Sequence, residues 1–207
     1  MADLRLHAEK AALRARFRDA RLALTDAEAA AHSTAICERI AALPEVKAAG
    51  TVHVYWPVTA RREVDTRPLV RRLHGAGTRV VLPVVADFDG APRLRHVRFE
   101  GEDRMQTNHW GIAEPVGTAD ADPSDLDVVI VPAFGAGRGG HRIGHGRGFY
   151  DAFLAGLAAV TVGAVYAACL VDAVPAEAHD VALGIVVTER EVVRVGTGER
   201  ERGEQGG

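Results

Sequence analysis

The stretch LDVVIVPAFGAGRGGHRIGHGRGFYDAFLAGLAA, residues 126–159, decides the fold. Its opening, LDVVIVP (126–132), is a nearly continuous apolar run, the pattern of a central parallel strand covered on both faces. Its end, FYDAFLAGLAA (149–159), predicts a helix. Between them, seven of the fourteen residues 135–148 are glycine, so this loop is made mostly of backbone. Such a loop can turn successive N–H groups onto a bound oxyanion, and a following helix adds its unpaired amides and positive dipole end. Arg138, His141, Arg142, His145 and Arg147 lie in the same stretch, and no acid occurs between Asp127 and Asp151, so the local potential is positive. In isolation a glycine-rich segment reads more readily as a flexible linker. Its place after a central strand and before a helix, at the carboxyl edge of an α/β sheet, favours a phosphate cradle. The spacing is neither the P-loop GxxxxGK[ST] nor the GxGxxG of dinucleotide-binding domains.

Working outward, helices and strands alternate. Leu4, Leu6, Ala8, Ala11, Ala12, Leu13, Phe17, Ala20 and Leu24 recur at helical spacing and predict a helix over 3–24. Thr25-Asp26-Ala27-Glu28 has the T-x-x-E form of a capping box, so a second helix begins near 26 and stops at Pro44. Strands are expected at 51–57, 78–85, 161–167 and 183–188, with a short helix at 65–75 and a hairpin strand at 92–99 after the turn chemistry of residues 87–90. This order predicts an α/β fold, an open and mostly parallel sheet with helices on both faces, formed by one domain over 1–195. The tail 196–207 is rich in glycine and charge and is expected to be disordered.

Composition sets limits. In 207 residues, 47% are hydrophobic and 26% charged, enough apolar material for a core. A formal net charge of -3 argues against a protein that coats nucleic acid or an anionic membrane. Cys37 and Cys169 are the only cysteines, too few for a disulfide framework, which fits a cytoplasmic protein. The N-terminus carries charges every few residues and no 18-residue uncharged apolar run exists, so neither a signal peptide nor a membrane span is expected.

His141-Arg142-Ile143-Gly144-His145-Gly146-Arg147-Gly148-Phe149-Tyr150-Asp151 resembles the R-[LI]-G-x-G-x-G-[FY]-Y-D signature of 5-formyltetrahydrofolate cyclo-ligases. Four further segments are similar to the family in order and spacing over residues 10–189: Lys10 to Arg14, Glu63 to Thr66, Trp110 to Pro115, and His179-Asp180 with Thr188-Glu189. The chain departs from the family at Gly137, where an acid is common, and at Arg147, which stands in place of the usual middle glycine. The resemblance implies ATP-dependent closure of a reduced folate, 5-formyltetrahydrofolate, to 5,10-methenyltetrahydrofolate, with Mg²⁺ as metal. It implies a small-molecule enzyme, a monomer or weak homodimer, with no nucleic-acid or membrane partner.

On this resemblance, Lys10, Arg14, Arg142, Gly144, Gly146, Arg147, Gly148, Phe149 and Tyr150 would bind ATP. Arg142, Arg147 and Tyr150 would act on the reacting groups. Val58, Glu63, Trp110 and Tyr150 would hold the folate, Glu63 accepting hydrogen bonds from the pterin. Asp151 and Asp180 would bind Mg²⁺, a hard cation that prefers oxygen. Blander readings stand beside these. Lys10 and Arg14 could belong to a solvated basic face with Arg18 and Arg21, Glu63 could be a solvated loop acid, and His179-Asp180 could cap a turn. Trp56 reads as core. Rival functions are a folate- or nucleotide-binding member without activity, motivated by Gly137, and an RGG-like nucleic-acid segment.

Overall fold

The computed structural model describes residues 2–87, 93–108, 111–116 and 119–196. Five α-helices are present among them: α1 (Ala2–Leu22), α2 (Asp26–Ala42), α3 (Pro44–Ala48), α4 (Arg67–Gly75) and α5 (Phe149–Leu154). The strands are β1 (Thr51–His53), β2 (Arg79–Asp87), β3 (Arg93–Arg98), β4 (Met105–Thr107), β5 (Ala113–Pro115), β6 (Val128–Pro132), β7 (Gly135–Gly137), β8 (Arg142–Ile143), β9 (Val160–Ala164), β10 (Leu170–Val171), β11 (Ile185–Val187) and β12 (Val192–Arg194).

Seven strands form the main sheet in the order β12-β11-β9-β6-β1-β2-β3. The five central strands pair in parallel, while β3 and β12 are antiparallel edges. β6 lies in the middle and is buried on both sides. Val128 and Ile130 join the core shared with α1, α2 and α4, whereas Val129 and Val131 join the core shared with α5. This alternation on a wholly apolar strand is what burial of both faces requires. The order of strands reverses at β1 and β6. From β1 the chain winds outward through β2, and from β6 it winds the other way through β9 and β11.

Local sequence rules hold where their contacts are local. Thr25 and Glu28 form the expected capping box: Glu28 N–H donates to Thr25 Oγ1 at 3.2 Å and Thr25 N–H to Glu28 Oε2 at 2.9 Å. α2 stops before Pro44, which then opens α3. β2 and β3 form the expected antiparallel pair; the turn residues 88–92 lie outside the described residues, as does the tail beyond residue 196. No described helix is long and apolar enough to cross a membrane.

Several expectations are corrected. The helix over 149–159 ends at Leu154, because Ala155 turns extended at ψ 115° and Gly156 adopts φ +76°. The first strand is shorter than 51–57. After Val54 N–H bonds Val81 O the chain leaves the sheet, ahead of Pro57, which has no N–H for a ladder. On α1 the packed stripe runs through Leu13, Phe17, Ala20 and Arg21, whereas Leu4 is 77% exposed and Ala8, Ala11 and Ala12 face solvent. The glycine-rich segment is not one open loop. Gly135–Gly137 is a buried strand between β10 and β8.

Gly135 shows why that seat admits no side chain. A Cβ there would lie 2.4 Å from Cys169 O and 2.5 Å from Phe17 Cδ2. Gly135→Ala is expected to lower stability by roughly 1–3 kcal/mol through overpacking. Gly139→Ala, at a site with nothing within 4 Å, is its control. Thermal unfolding of both proteins checks this; equal midpoints would mean that β7 yields to the extra methyl.

Candidate active site

One cavity of about 1080 Å³ opens at the carboxyl ends of β1, β2 and β6, on the reversal of strand order. Open α/β sheets bind ligands at this place because the loops leaving neighbouring strands diverge there. The loop after β1 contributes Trp56, Val58, Arg61 and Glu63; the loop 144–148 between β8 and α5 forms the facing wall. α1 crosses above with Lys10 and Arg14, and residues 177–180 close the side.

The two basic residues of α1 do not belong to a solvated face. Arg14 Nε donates to Gly144 O at 2.8 Å, which ties the helix to the glycine loop. Lys10 Nζ donates to Glu177 Oε2 and to Asp180 Oδ2, each at 2.6 Å. Burial alone would lower the Lys10 ammonium, but the bonds to Asp180 and Glu177 hold it above the usual lysine value. Against burial, the same pairing holds Asp180 below the usual aspartate value. Arg21, placed by the sequence on that solvated face, is 3% exposed; it donates to Arg62 O and lies over the Phe134 ring. Arg18 alone of the four matches the solvated reading, bonding its exposed neighbour Asp19.

Arg142 has a side chain 5% exposed, and it forms a knot. Its Nη2 donates to Asp151 Oδ1 at 2.7 Å and its Nη1 to Val181 O at 2.5 Å, while Val181 N–H donates back to Asp151 Oδ1 at 3.2 Å. The loop, the first turn of α5 and the 177–183 segment are thereby joined. Gly148 caps α5 at φ +71°, a left-handed backbone that glycine adopts without strain. Gly144, Gly146, Arg147 and Phe149 all line the cavity. α5 itself has only six residues, so its dipole is weaker than a long helix would supply.

Glu63 is not a solvated loop acid: it is 8% exposed. Val58 N–H donates to its Oε2 at 2.8 Å, and His145 Nε2 lies 3.3 Å from its Oε1. The Tyr150 hydroxyl is buried without a hydrogen-bond partner among the described residues. Burial, and next the negative Glu63, push its pKa up, so it stays protonated and is a donor in need of an acceptor. His53, fully buried, lies 6.1 Å from the Tyr150 ring; burial pushes its pKa down to about 3, so it is neutral. Trp56 is only partly core, since it stacks on Phe99 and also faces the cavity. Trp110 lies outside the described residues. Both thiols are buried, with Cys37 pushed up to about 12 and Cys169 to about 11, so neither is a nucleophile.

Asp180 caps a turn, the blander of its two readings. Its Oδ2 accepts Glu177 N–H at 2.7 Å, as a turn cap does, while also meeting Lys10. Donor atoms of Glu177, His179 and Asp180 lie within 4.8 Å of one another, and Asp151 lines the same cavity. The Glu177 and Asp180 carboxylates offer the oxygen donors that a hard divalent cation prefers, and Lys10 Nζ pairs with both of them. Glu177 and His145 are the site residues that sequence reasoning missed. Glu177 had a signal, an acid three residues before Asp180, whereas the partner of His145 is 82 residues away.

Residues 6–189 match the model of the 5-formyltetrahydrofolate cyclo-ligase family. The 5-formyltetrahydrofolate cyclo-ligase of Escherichia coli K12 is 34% identical over 180 residues, 84% of this chain and 97% of that protein. The enzyme of the same name from Mycolicibacterium smegmatis is 36% identical over 152 residues, covering 68% and 74%. The solution structure of Aquifex aeolicus 5,10-methenyltetrahydrofolate synthetase superposes with a TM-score of 0.79 at 27% identity, covering 95% of this chain and 99% of that one. The matched span begins before Lys10 and ends beyond Asp180, so it takes in every wall of the cavity, and the chain belongs to the 5-formyltetrahydrofolate cyclo-ligase family.

Proposed function

We propose that this protein converts 5-formyltetrahydrofolate and ATP to 5,10-methenyltetrahydrofolate, ADP and phosphate. The observation that carries the reading is that one cavity joins a buried carboxylate, Glu63, to a glycine loop lined by Arg14, Arg142 and Arg147. A pterin and a triphosphate need those two surfaces, and the reaction needs them adjacent.

The formamide oxygen attacks the γ-phosphorus, and the bond to the ADP oxygen breaks. N10 then closes on the activated carbon and loses its proton, while the carbon–oxygen bond breaks and phosphate leaves. Such transfer is helped mainly by alignment and by cations around the phosphoryl oxygens. Lys10, Arg14, Arg142 and Arg147, with the amides of residues 144–149, hold the phosphates. Glu63 accepts from the pterin, Val58 packs on it, and the unpartnered Tyr150 hydroxyl donates to the reacting oxygen. Asp151 and Asp180 would hold Mg²⁺, with Glu177 beside them, and the ion would neutralise phosphate charge. The buried, free cysteines fit a cytoplasmic enzyme, and it would act as a monomer or weak homodimer.

Purified protein with ATP and Mg²⁺ is expected to give the near-ultraviolet absorbance of the methenyl product, and a chelator is expected to abolish it. Turnover that persists without nucleotide would exclude phosphoryl activation.

A further inference from the structure

We propose that His145 is a positioning residue that latches Glu63 and couples the two halves of the cavity, so that nucleotide binding opens the folate subsite. The inference rests on the function proposed above, which places phosphates on the glycine loop and the pterin on Glu63. Glu63 has two oxygens with unlike partners. Oε2 accepts the amide of Val58, five residues away in its own loop, at 2.8 Å. Oε1 is met by a side chain of the opposite wall, His145 Nε2 at 3.3 Å. A carboxylate only accepts, so this imidazole carries its proton on Nε2.

The latch is built to move. The His145 side chain is 43% exposed, against 7% for Glu63, and its ring rests edge-on against Phe134 with centroids 4.6 Å apart. Gly144 and Gly146 flank it, so its backbone is little hindered by neighbouring side chains. A pterin offers two parallel N–H donors and is gripped best by both carboxylate oxygens, so His145 competes with it for Oε1. A triphosphate on residues 144–148 is a stronger acceptor than one shared carboxylate oxygen, and it draws the imidazole N–H away. One donor with two alternative acceptors makes the subsites cooperative, and coupling between binding sites is reciprocal.

Calorimetric titration of 5-formyltetrahydrofolate, with and without a saturating non-hydrolysable ATP analogue, tests this on wild type, His145→Ala and His145→Phe. Phenylalanine keeps the ring against Phe134 but cannot donate. Wild type is expected to bind folate roughly 3- to 10-fold more tightly with the analogue, the scale of a partly exposed charged hydrogen bond. Both variants are expected to bind folate tightly without the analogue, and to lose that gain. A merely structural role for His145 would not tighten binding. Variants that bind folate more weakly than wild type, or that keep the full coupling, overturn the latch while leaving the function intact. Wild type that binds no folate under either condition and makes no product overturns the functional reading itself.

Discussion

Arg142→Ala is expected to lower kcat/KM by about 10- to 150-fold, the loss of a charge-assisted hydrogen bond of roughly 1.5–3 kcal/mol from a shielded site. The geometry adds a second effect. The guanidinium is 5% exposed and spans Asp151 Oδ1 and Val181 O, so its removal leaves a carboxylate and a carbonyl short of their donor. Breaking a buried pair by deleting one partner costs on the order of 3–5 kcal/mol, discounted here because the Asp151 side chain is 26% exposed. Arg142→Lys is expected to keep the charge and lose the fork, and so to recover activity only in part. Arg18→Ala, which removes an exposed arginine paired with its neighbour Asp19, is expected to change neither quantity. Steady-state kinetics on folded fractions, alongside thermal unfolding, separate the effects. A large fall in midpoint with unchanged kcat/KM would make Arg142 a structural tie and remove it from the phosphate site.

Glu63→Gln is expected to raise the KM for 5-formyltetrahydrofolate by about 10- to 150-fold while affinity for an ATP analogue stays the same, again the scale of a hydrogen bond to a charged group. The glutamine oxygen can still accept Val58 N–H, but its NH₂ then points a donor at the donors of the pterin. Because Glu63 is 8% exposed, the substitution is felt by the fold as well, and Glu63→Ala more so, since it leaves the Val58 amide without its acceptor. Paired titrations of the two ligands decide the matter. Unchanged folate affinity with unchanged turnover would break the placement of the pterin beside the first strand.

The legible part of this molecule was local. The apolar run of β6, the Thr25–Glu28 capping box, the stop at Pro44 and the hairpin strand β3 are set by interactions within a few residues or across one turn, and a sequence displays those directly. The ordered motifs likewise pointed to the cavity walls before any geometry was known, and Lys10, Arg14, Glu63, Arg142, Tyr150, Asp151 and Asp180 do line one cavity.

What the sequence could not display was partnership across distance. Glycine density along 135–148 looked like one cradle, yet Gly135 is glycine because Cys169 and Phe17 press on it, and of that stretch only residues 142–148 line the cavity. Helical spacing put Arg14 and Arg21 on a surface, but the aliphatic stem of arginine can lie along a packed face while its head finds a carbonyl, as both do. Glu63 read as exposed because it follows a strand end, and only the fold supplies the His145 that meets it from 82 residues away. By itself the sequence determined the main helices and the principal strands of the sheet, and the inventory of charges, since propensity and capping act over one helical turn or one pleat. The tertiary structure decided which charges are paired, which glycines are seats rather than hinges, and that the loop after β1 faces the loop between β8 and α5. Those outcomes depend on strand order, and strand order is set by contacts between segments that no local pattern encodes.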